Sequence, residues 1–600
     1  MLDFAPAEVV VERRDDGTTR VRSPLPLAPH ADRVTDWLDR WARERPEATF
    51  LAERVDGALA RWSYAEIREA AAGVAQWLLD RGAGADRPVM LLSDNSVDHA
   101  VVQLGAQYAG VPAAPVSPAY SLRSADHAKL KAIFARLEPA VVFAQDGDAY
   151  AGALAALPLD GVAVLASTNA PGPTVAEARA AEPTDAVDAA HAAVGPETVA
   201  KILFTSGSTG EPKGVVNTHR MLTSNQRAIA QLWRFLEHRP PVLVDWLPWN
   251  HTFGANHDFH MVLCHGGTMV VDGGKPVPGL IERTVENLRE VSPTLYFNVP
   301  RGFDVLLPYL EDDAELRERF FARLDLVFYA GAALPQSLWE RMEAVSRRAR
   351  GTPVPMASAW GATETAPLVT SVHFPIERAG IIGLPAPGCE IKLVPNAGKL
   401  EMRVRGPNVT PGYWRRPDLT ERAFDDEGFY RIGDAGRFAD PAHPEKGLVF
   451  DGRVSEDFKL TTGTWVHVGV LRVALIAAVA PVAQDAVLTG HDRDEVGALF
   501  FPSLPACRRL ADLPDDAPAA DVVVHPAVRA RVAEGLTAQN ATAEGSSRRV
   551  TRALVLEEPP SIDAGEITDK GYVNQRAVLE RRAALVERLH ADAPEVIRPA

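Results

Sequence analysis

Cysteine is scarce: Cys264, Cys389 and Cys507 are the three in 600 residues. Odd in number and far apart, they exclude a disulfide framework and a CxxC metal pattern, which suits a reducing cytoplasm. Basic charge is also short. Lys plus Arg number 63 against 79 Asp plus Glu, a net charge of −16. Without a basic field the chain is a poor partner for nucleic acid or an anionic membrane surface. Long apolar runs are missing too. Residues 473–480 come nearest, bounded by Arg472 and Pro481, so no spanning helix is expected. The opening MLDFAPAEVVVERRDDG lacks a basic segment followed by an apolar one. No secretory signal is therefore expected, and the expected location is cytoplasmic. No repeat of solenoid period is found.

What is present is ordinary for a globular chain, 46% apolar and 24% charged. The length allows several cores, about four domain-sized units as a prior. The first 50 residues read as an irregular lead-in and one helix, with Val34, Trp37, Leu38 and Trp41 at helical spacing. A capping box, Ser63-x-x-Glu66, opens a second helix that Gly82 is placed to end. Apolar runs at 89–92, 111–116, 141–144, 162–165, 202–204, 242–246, 268–271, 295–299 and 326–329 then alternate with helical stretches. That alternation predicts an α/β fold, a parallel sheet with helices on its faces. Residues 168–198 read as a surface excursion. From about 383 to 437 short strands with Gly and Pro turns suggest a small β-barrel-like unit, and after Gly452 a smaller α+β unit begins. It ends in an amphipathic helix carrying Val578, Leu579, Leu585, Val586 and Leu589.

The sharpest chemical signal is ILFTSGSTGEPKG, residues 202–214. Glycines let backbone N–H groups approach a phosphate closely, while the hydroxyls and Lys213 add donors and charge. It is not a Walker A loop, which needs Gly-Lys-Ser/Thr contiguous; Pro212 precedes the lysine. A plain Gly/Ser loop between strand and helix is the alternative, yet such loops rarely carry this hydroxyl density directly after a buried strand.

TSGSTGEPKG closely resembles the phosphate loop of the acyl-adenylate-forming superfamily, which includes acyl-CoA synthetases, firefly-type luciferases and the adenylation domains of peptide synthetases. Five further segments resemble family motifs in the family's order: LPWNHTFG (247–254), YAGAALP (329–335), WGATE (360–364), YRIGDAG (430–436) and FDGRVSEDFK (450–459). The resemblance implies a large N-terminal domain over residues 1–452, built of parallel-sheet αβα subdomains and a β-barrel-like subdomain. A hinge at 453–457 and a mobile α+β C-terminal domain over 458–600 follow.

The resemblance also assigns roles. Thr205, Ser206, Gly207, Ser208, Thr209, Gly210 and Lys213 would cradle the phosphates of ATP. Glu364 would be the ligand of a phosphate-bridging Mg²⁺, since a hard cation wants carboxylate oxygen, and Thr363 would donate to the phosphate. Standing alone, that pair would read as a helix N-cap. Asp434, between glycines, would take the ribose hydroxyls, or else be a turn aspartate. Arg453 would reach ribose or phosphate from the hinge, or else be a solvated arginine. Trp360 and Gly361 would border the adenine, the indole stacking on it. His251, Asn256, Tyr329, Ala330, Gly331 and Ala332 would wall the acyl pocket, with small residues leaving a flat slot. His257, His260 and His265, with Asp258 and Cys264, match no zinc spacing.

Near the end, residues 560–576 read PSIDAGEITDKGYVNQR. Most relatives have Gly-Lys where this chain has Gly565-Glu566, so Lys570 becomes the candidate adenylation lysine, with a surface lysine as the alternative. Gly463 would line the pantetheine tunnel of coenzyme A after the small domain rotates. The pivot falls on Glu456 or Asp457. EDFKLTTGTWVHVG and GEITDKGYVNQRAVLERR look like the longer bacterial feruloyl-CoA synthetases.

The implied partners are ATP, Mg²⁺, coenzyme A and a small-molecule carboxylic acid, most closely ferulate. Three alternatives stand beside that reading. They are a medium- or long-chain fatty acid–CoA ligase, an enzyme loading a carrier protein, and an inactive nucleotide-binding protein, the last favoured by Glu566.

Overall fold

A computed structural model describes residues 2–206, 211–396, 398–454, 456–568, 573–591 and 593–599. The predicted alternation forms a six-stranded sheet in the order Pro212–Thr218, Val199–Ser206, Ala113–Val116, Val89–Leu92, Val141–Asp146, Ala163–Thr168. All neighbours run parallel except the first pair, which is an antiparallel hairpin. Val89, Met90, Leu91 and Leu92 are completely buried, as expected of a strand covered by helices on both faces. The capping box forms: Glu66 N donates to Ser63 Oγ over 3.2 Å and Ser63 N to Glu66 Oε2 over 2.7 Å.

A second, four-stranded sheet holds Val242–Asp245, Thr268–Val271, Thr49–Val55 and Ala58–Ser63. The third sheet has eleven strands. At one end Leu295–Asn298, Leu326–Tyr329 and Met356–Gly361 run parallel. The region read as barrel-like continues it as antiparallel strands, Leu368–Ser371, Ile381–Pro385, Leu448–Arg453, Tyr430–Phe438, Lys399–Arg405 and Glu390–Asn396. One apolar core draws side chains from all three sheets.

One expectation is corrected. The lead-in is not irregular: Val10–Arg13 and Thr19–Arg22 form a hairpin that pairs with Glu390–Asn396. Asp16 makes the turn, its Oδ1 accepting from Thr18 N over 2.9 Å, while Gly17 takes φ of 82°, a left-handed geometry that favours glycine. The stretch 168–198 is mostly exposed, as a surface excursion is, and it is helical in part. It contains the helices Val175–Arg179 and Asp185–Ala193, capped by Thr174 and Thr184, with Val175, Ala178 and Val187 buried.

The smaller C-terminal unit is built on Ala483–Thr489, Val496–Pro502 and Val550–Val555. The helices Val468–Ala478 and Pro526–Ala541 contribute Leu471, Leu475, Val528, Val532 and Leu536 to its core. The predicted last helix is two, Gln575–Arg581 and Ala583–His590. The break falls at Arg582, whose guanidinium turns inward to the buried carboxylate of Glu566.

Candidate nucleotide and acyl site

The strands on either side of the Gly/Ser segment, Val199–Ser206 and Pro212–Thr218, pair antiparallel. Residues 207–210, the side chain of Ser206 and Lys570 lie outside the described residues. One pair in from the loop end, Lys213 lies directly across from Thr205. Lys213 Nζ stands 5.6 Å over the ring of Tyr413, a cation–π placement. Tyr413 reaches there because its segment crosses the hairpin: Trp414 N donates to Gly214 O over 2.7 Å, and Val216 N to Gly412 O over 3.1 Å.

Tyr413 then joins Lys213 to Glu364. Its hydroxyl donates to Glu364 Oε1 over 3.0 Å and lies 3.1 Å from the Tyr430 hydroxyl. Burial and the Glu364 carboxylate push the Tyr413 phenol well up, so it stays a donor. Sequence reading gave neither tyrosine a role, although Tyr430 opens the YRIGDAG segment; Tyr413 itself went unnoticed. The only signal was an aromatic pair, Tyr413-Trp414, directly after Pro411-Gly412.

Glu364 sits in the single 3₁₀ turn Thr363–Thr365 that follows the strand Met356–Gly361. Thr365 Oγ1 accepts from Ala362 N over 2.8 Å and donates to Pro367 O over 2.5 Å. The turn is so tight that a Cβ on Gly361 would lie 1.8 Å from the carbonyl oxygen of Pro367. Thr363 is buried and Glu364 half-buried. Tyr413 bonds Oε1, and the Tyr430 hydroxyl is also hydrogen-bonded to the Glu364 carboxylate. Among the described residues no group of three or more His, Cys, Asp or Glu could hold a metal. A lone carboxylate fits Mg²⁺ carried in on phosphates, the usual mode for that ion.

Asp434 is 7% exposed, and Trp360 likewise. The Trp360 indole Nε1 donates to Asp434 Oδ2 over 2.8 Å, so the indole edge fixes the carboxylate. Asp434 Oδ1 is buried without a hydrogen-bond partner and lies 3.6 Å from Arg453 Nε. Arg453 is its cross-strand neighbour, mostly exposed. Burial raises the Asp434 carboxyl above its ordinary value, while Arg453 and the Trp360 bond pull it back.

On the acyl side the structure redistributes the expected residues. His251 is half-buried, at the start of the turn into Phe253–Asp258, with Nδ1 3.4 Å from Phe253 N. Ala330 is half-buried, and Gly331 and Ala332 are exposed. Asn256 does not line an open surface. Its amide donates to Asn217 Oδ1 (2.7 Å) and Thr252 Oγ1 (3.1 Å) and accepts from Lys201 Nζ (3.4 Å). Tyr329 points into the core behind the sheet, with its ring edge-on to Trp339 and its hydroxyl accepting from Gly380 N over 3.4 Å. Phe253, inside the LPWNHTFG segment, groups with two rings that the sequence did not flag, Phe297 and Phe328, with centroids 5.2–6.4 Å apart. His257 stacks on Phe328 at 5.1 Å and has Nδ1 2.7 Å from Asp258 Oδ1. Burial pushes His257 down to about 3, so it packs as a neutral ring.

Gly463 lies in the exposed turn of the hairpin Phe458–Lys459/Trp465–Val466, away from the groups above. At the domain junction Asp457 is gripped from both sides. Buried Lys399 of the large domain ion-pairs with it, while His467 Nδ1 (2.9 Å) and Val468 N (3.0 Å) bind it from the C-terminal unit.

Comparison with known proteins adds three relations. The family described as AMP-binding enzyme matches residues 38–414. A probable CoA ligase of Humulus lupulus, CCL8, is 25% identical over 52% of this chain and 53% of its own length. A long-chain-fatty-acid–CoA ligase of Escherichia coli is 29% identical over 40% of this chain and 44% of its own. The chain thus spans about half the length of these curated relatives. The crystal structure of ATP-bound MatB from Rhodopseudomonas palustris superposes with a TM-score of 0.66 at 23% identity, covering 92% of this chain and 99% of that one. The fold is therefore the mixed α/β fold of that structure, with a large N-terminal domain of parallel sheets and a smaller C-terminal one.

Proposed function

The chain belongs to the AMP-binding enzyme family, and on that premise we propose that it is an AMP-forming acid–CoA ligase whose acid is ferulate or a related hydroxycinnamate. The observation that carries the nucleotide half of this reading is Asp434. One oxygen is fixed by Trp360; the other is buried without a hydrogen bond, with only the mostly exposed Arg453 3.6 Å away. Buried acceptors seek a donor, and a ribose hydroxyl supplies one.

The first half-reaction joins the acid's carboxylate oxygen to the α-phosphorus of ATP and breaks the bond to pyrophosphate. A carboxylate is already a nucleophile, so no base is required. The barrier is anion meeting anion, and preorganised positive charge lowers it. Lys213 delivers one charge from the position across from Thr205, and Tyr413 holds the Glu364 carboxylate, which would take Mg²⁺ carried in on the phosphates. Mg²⁺ bound there supplies further neutralisation. Lys570 brings a third charge from the C-terminal domain. In the second half-reaction the CoA thiol loses its proton to solvent, its sulfur attacks the acyl carbonyl, and AMP leaves with the bonding electrons. The small domain rotates between the halves about the 453–457 segment, where Asp457 is the residue bound on both sides, and Gly463 then approaches the pantetheine arm.

For the acid, Ala330 packs against the core that holds the Phe253, Phe297 and Phe328 rings, and His251 precedes Phe253 by two residues in sequence. Flat apolar surroundings of this kind favour an aryl group. A fatty acid is the second reading, prompted by the Escherichia coli relative. A panel of hydroxycinnamates, benzoates and fatty acids, scored by mass detection of each acyl-CoA, tests the assignment. Ferulate or coumarate is expected to give the highest kcat/KM. A preference for palmitate or decanoate overturns the aryl reading and leaves the ligase reading intact.

A further inference from the structure

The segment carrying Lys570 is held at two places that the reaction above does not use. The first is Glu566, a fully buried carboxylate. Arg582 grips it through Nε (2.6 Å) and Nη2 (2.8 Å), Arg581 adds Nη1 (2.6 Å), and Ser561 N donates over 2.9 Å. Arg582, itself buried, also donates to the carbonyls of Glu558 and Pro559, each over 3.0 Å. The main chain closes on this pair, for Asn574 N donates to Glu566 O over 2.8 Å and Ile567 bridges to Val573. Both feet of the Lys570 stretch therefore stand on one buried ion pair. Paired and hydrogen-bonded on every side, Glu566 is a structural brace, not a lost catalytic lysine.

The second hold crosses between domains. Asp563 Oδ1 accepts from Ser124 Oγ over 2.7 Å and its Oδ2 from Ala125 N over 3.2 Å. Beside them Lys129 Nζ donates to Ile562 O over 2.5 Å. Ser124, Ala125 and Lys129 belong to the large domain, at the entry to the helix Ala128–Leu137 and within it. Asp563 is exposed and lies only three residues before the Glu566 brace.

We propose that Asp563, seated on Ser124 and Ala125, is a docking latch that selects the first half-reaction, with Glu566–Arg582 as the stiff brace that carries the docked position through to Lys570. This rests on the assignment of Lys570 to adenylation. The geometry makes the latch specific to one step. It ties the small domain to the large one in the present orientation, and any rotation that brings another face of the small domain to the site must break all three contacts. Asp563 and Glu566 are positioning residues, acting through Lys570.

The test separates the half-reactions in the full-length protein. ATP–pyrophosphate exchange reports the first, and thioester formation from supplied feruloyl-AMP and CoA reports the second. Asp563→Ala is expected to lower exchange by about 10-fold or more, since small misplacement of a charged group is costly, and to leave the second step unchanged or faster. Asp563→Asn keeps acceptor capacity and is expected to retain most of the exchange. Glu566→Gln is expected to follow Asp563→Ala; should it fail to fold, the exposed Asp563 variants still decide. Equal loss in both half-reactions, or no loss in either, overturns the latch. Lys570→Ala run alongside keeps the two readings apart. Exchange lost in Lys570→Ala but intact in Asp563→Ala sinks the latch alone; exchange retained in Lys570→Ala sinks that lysine's role, whatever Asp563 does.

Discussion

Trp360 donates its indole hydrogen to Asp434 over 2.8 Å, and both side chains are buried. Two motifs 74 residues apart in sequence thus meet in one buried hydrogen bond, at the place proposed for the nucleotide. Trp360→Phe keeps the ring and removes the donor. The bond holds the Asp434 carboxyl down against the effect of burial, so its loss lets that carboxyl rise. In the proposed role the ionised carboxylate offers both oxygens to ribose hydroxyls, which the neutral acid does not, so the acid limb of activity should move to higher pH. At neutral pH the lost charged hydrogen bond should cost about 2 kcal/mol, or about 30-fold in kcat/KM for ATP. A pH profile of kcat/KM for both proteins reads this directly; an unmoved limb would mean that the bond does not tune Asp434.

Tyr413 bridges Lys213 and Glu364. Tyr413→Phe should leave the melting temperature close to that of the parent and slow pyrophosphate exchange by about 10-fold, because Glu364 is no longer held in place. Exchange measured across a Mg²⁺ titration is the check, and full activity at every Mg²⁺ level would remove Tyr413 from the site.

Gly361 has no space for a side chain, because the obstructing atom is the backbone oxygen of Pro367. Gly361→Ala must therefore shift the turn bearing Thr363 and Glu364. A stability loss of about 1–3 kcal/mol is expected, together with weakened ATP binding. Calorimetry with and without ATP measures both. A variant as stable and as tight-binding as the parent would contradict the close packing.

Lys201 is fully buried, donating to Ala255 O (3.1 Å) and Asn256 Oδ1 (3.4 Å), and burial pushes it down to about 7. Between that value and the ordinary one near 10.5 the unfolded chain binds the proton that the folded chain has released. Stability from this group therefore rises with pH across that window, with a slope of up to about 1.4 kcal/mol per pH unit. Below about 7 both states are protonated and the contribution is flat. Lys201→Met should remove the rise. Denaturant unfolding of both proteins at pH 6, 7, 8 and 9 tests this, and parallel curves would refute it.

How much of this was legible in the sequence follows from the range of each interaction. Buried strands such as Val89–Leu92 and the Ser63–Glu66 cap are written in neighbouring residues, and they formed as expected. The hairpin over residues 10–22 finds its partner strand at Glu390–Asn396, too far along the chain for local pattern to announce. Motif resemblance singled out Lys213, Glu364 and Asp434, and the structure links the first two through Tyr413 and fixes the third on Trp360. Resemblance could not reveal what holds them, because Tyr413, Tyr430 and the Trp360 edge act through contacts across the fold. Asn256 and Tyr329 were expected at the acyl wall from their places in motifs, but a polar network and a second core claim their side chains. Glu566 read as a defect until Arg582 was found to break the last helix in order to reach it.

The most direct test of the account is the phosphorus products formed from ATP, Mg²⁺ and ferulate, followed by ³¹P NMR with and without CoA. AMP and pyrophosphate in equal amounts, with turnover dependent on both ferulate and CoA and a feruloyl thioester accumulating alongside, is the predicted result. ADP and phosphate as products, or no consumption of ATP with ferulate or any other carboxylic acid, would contradict it.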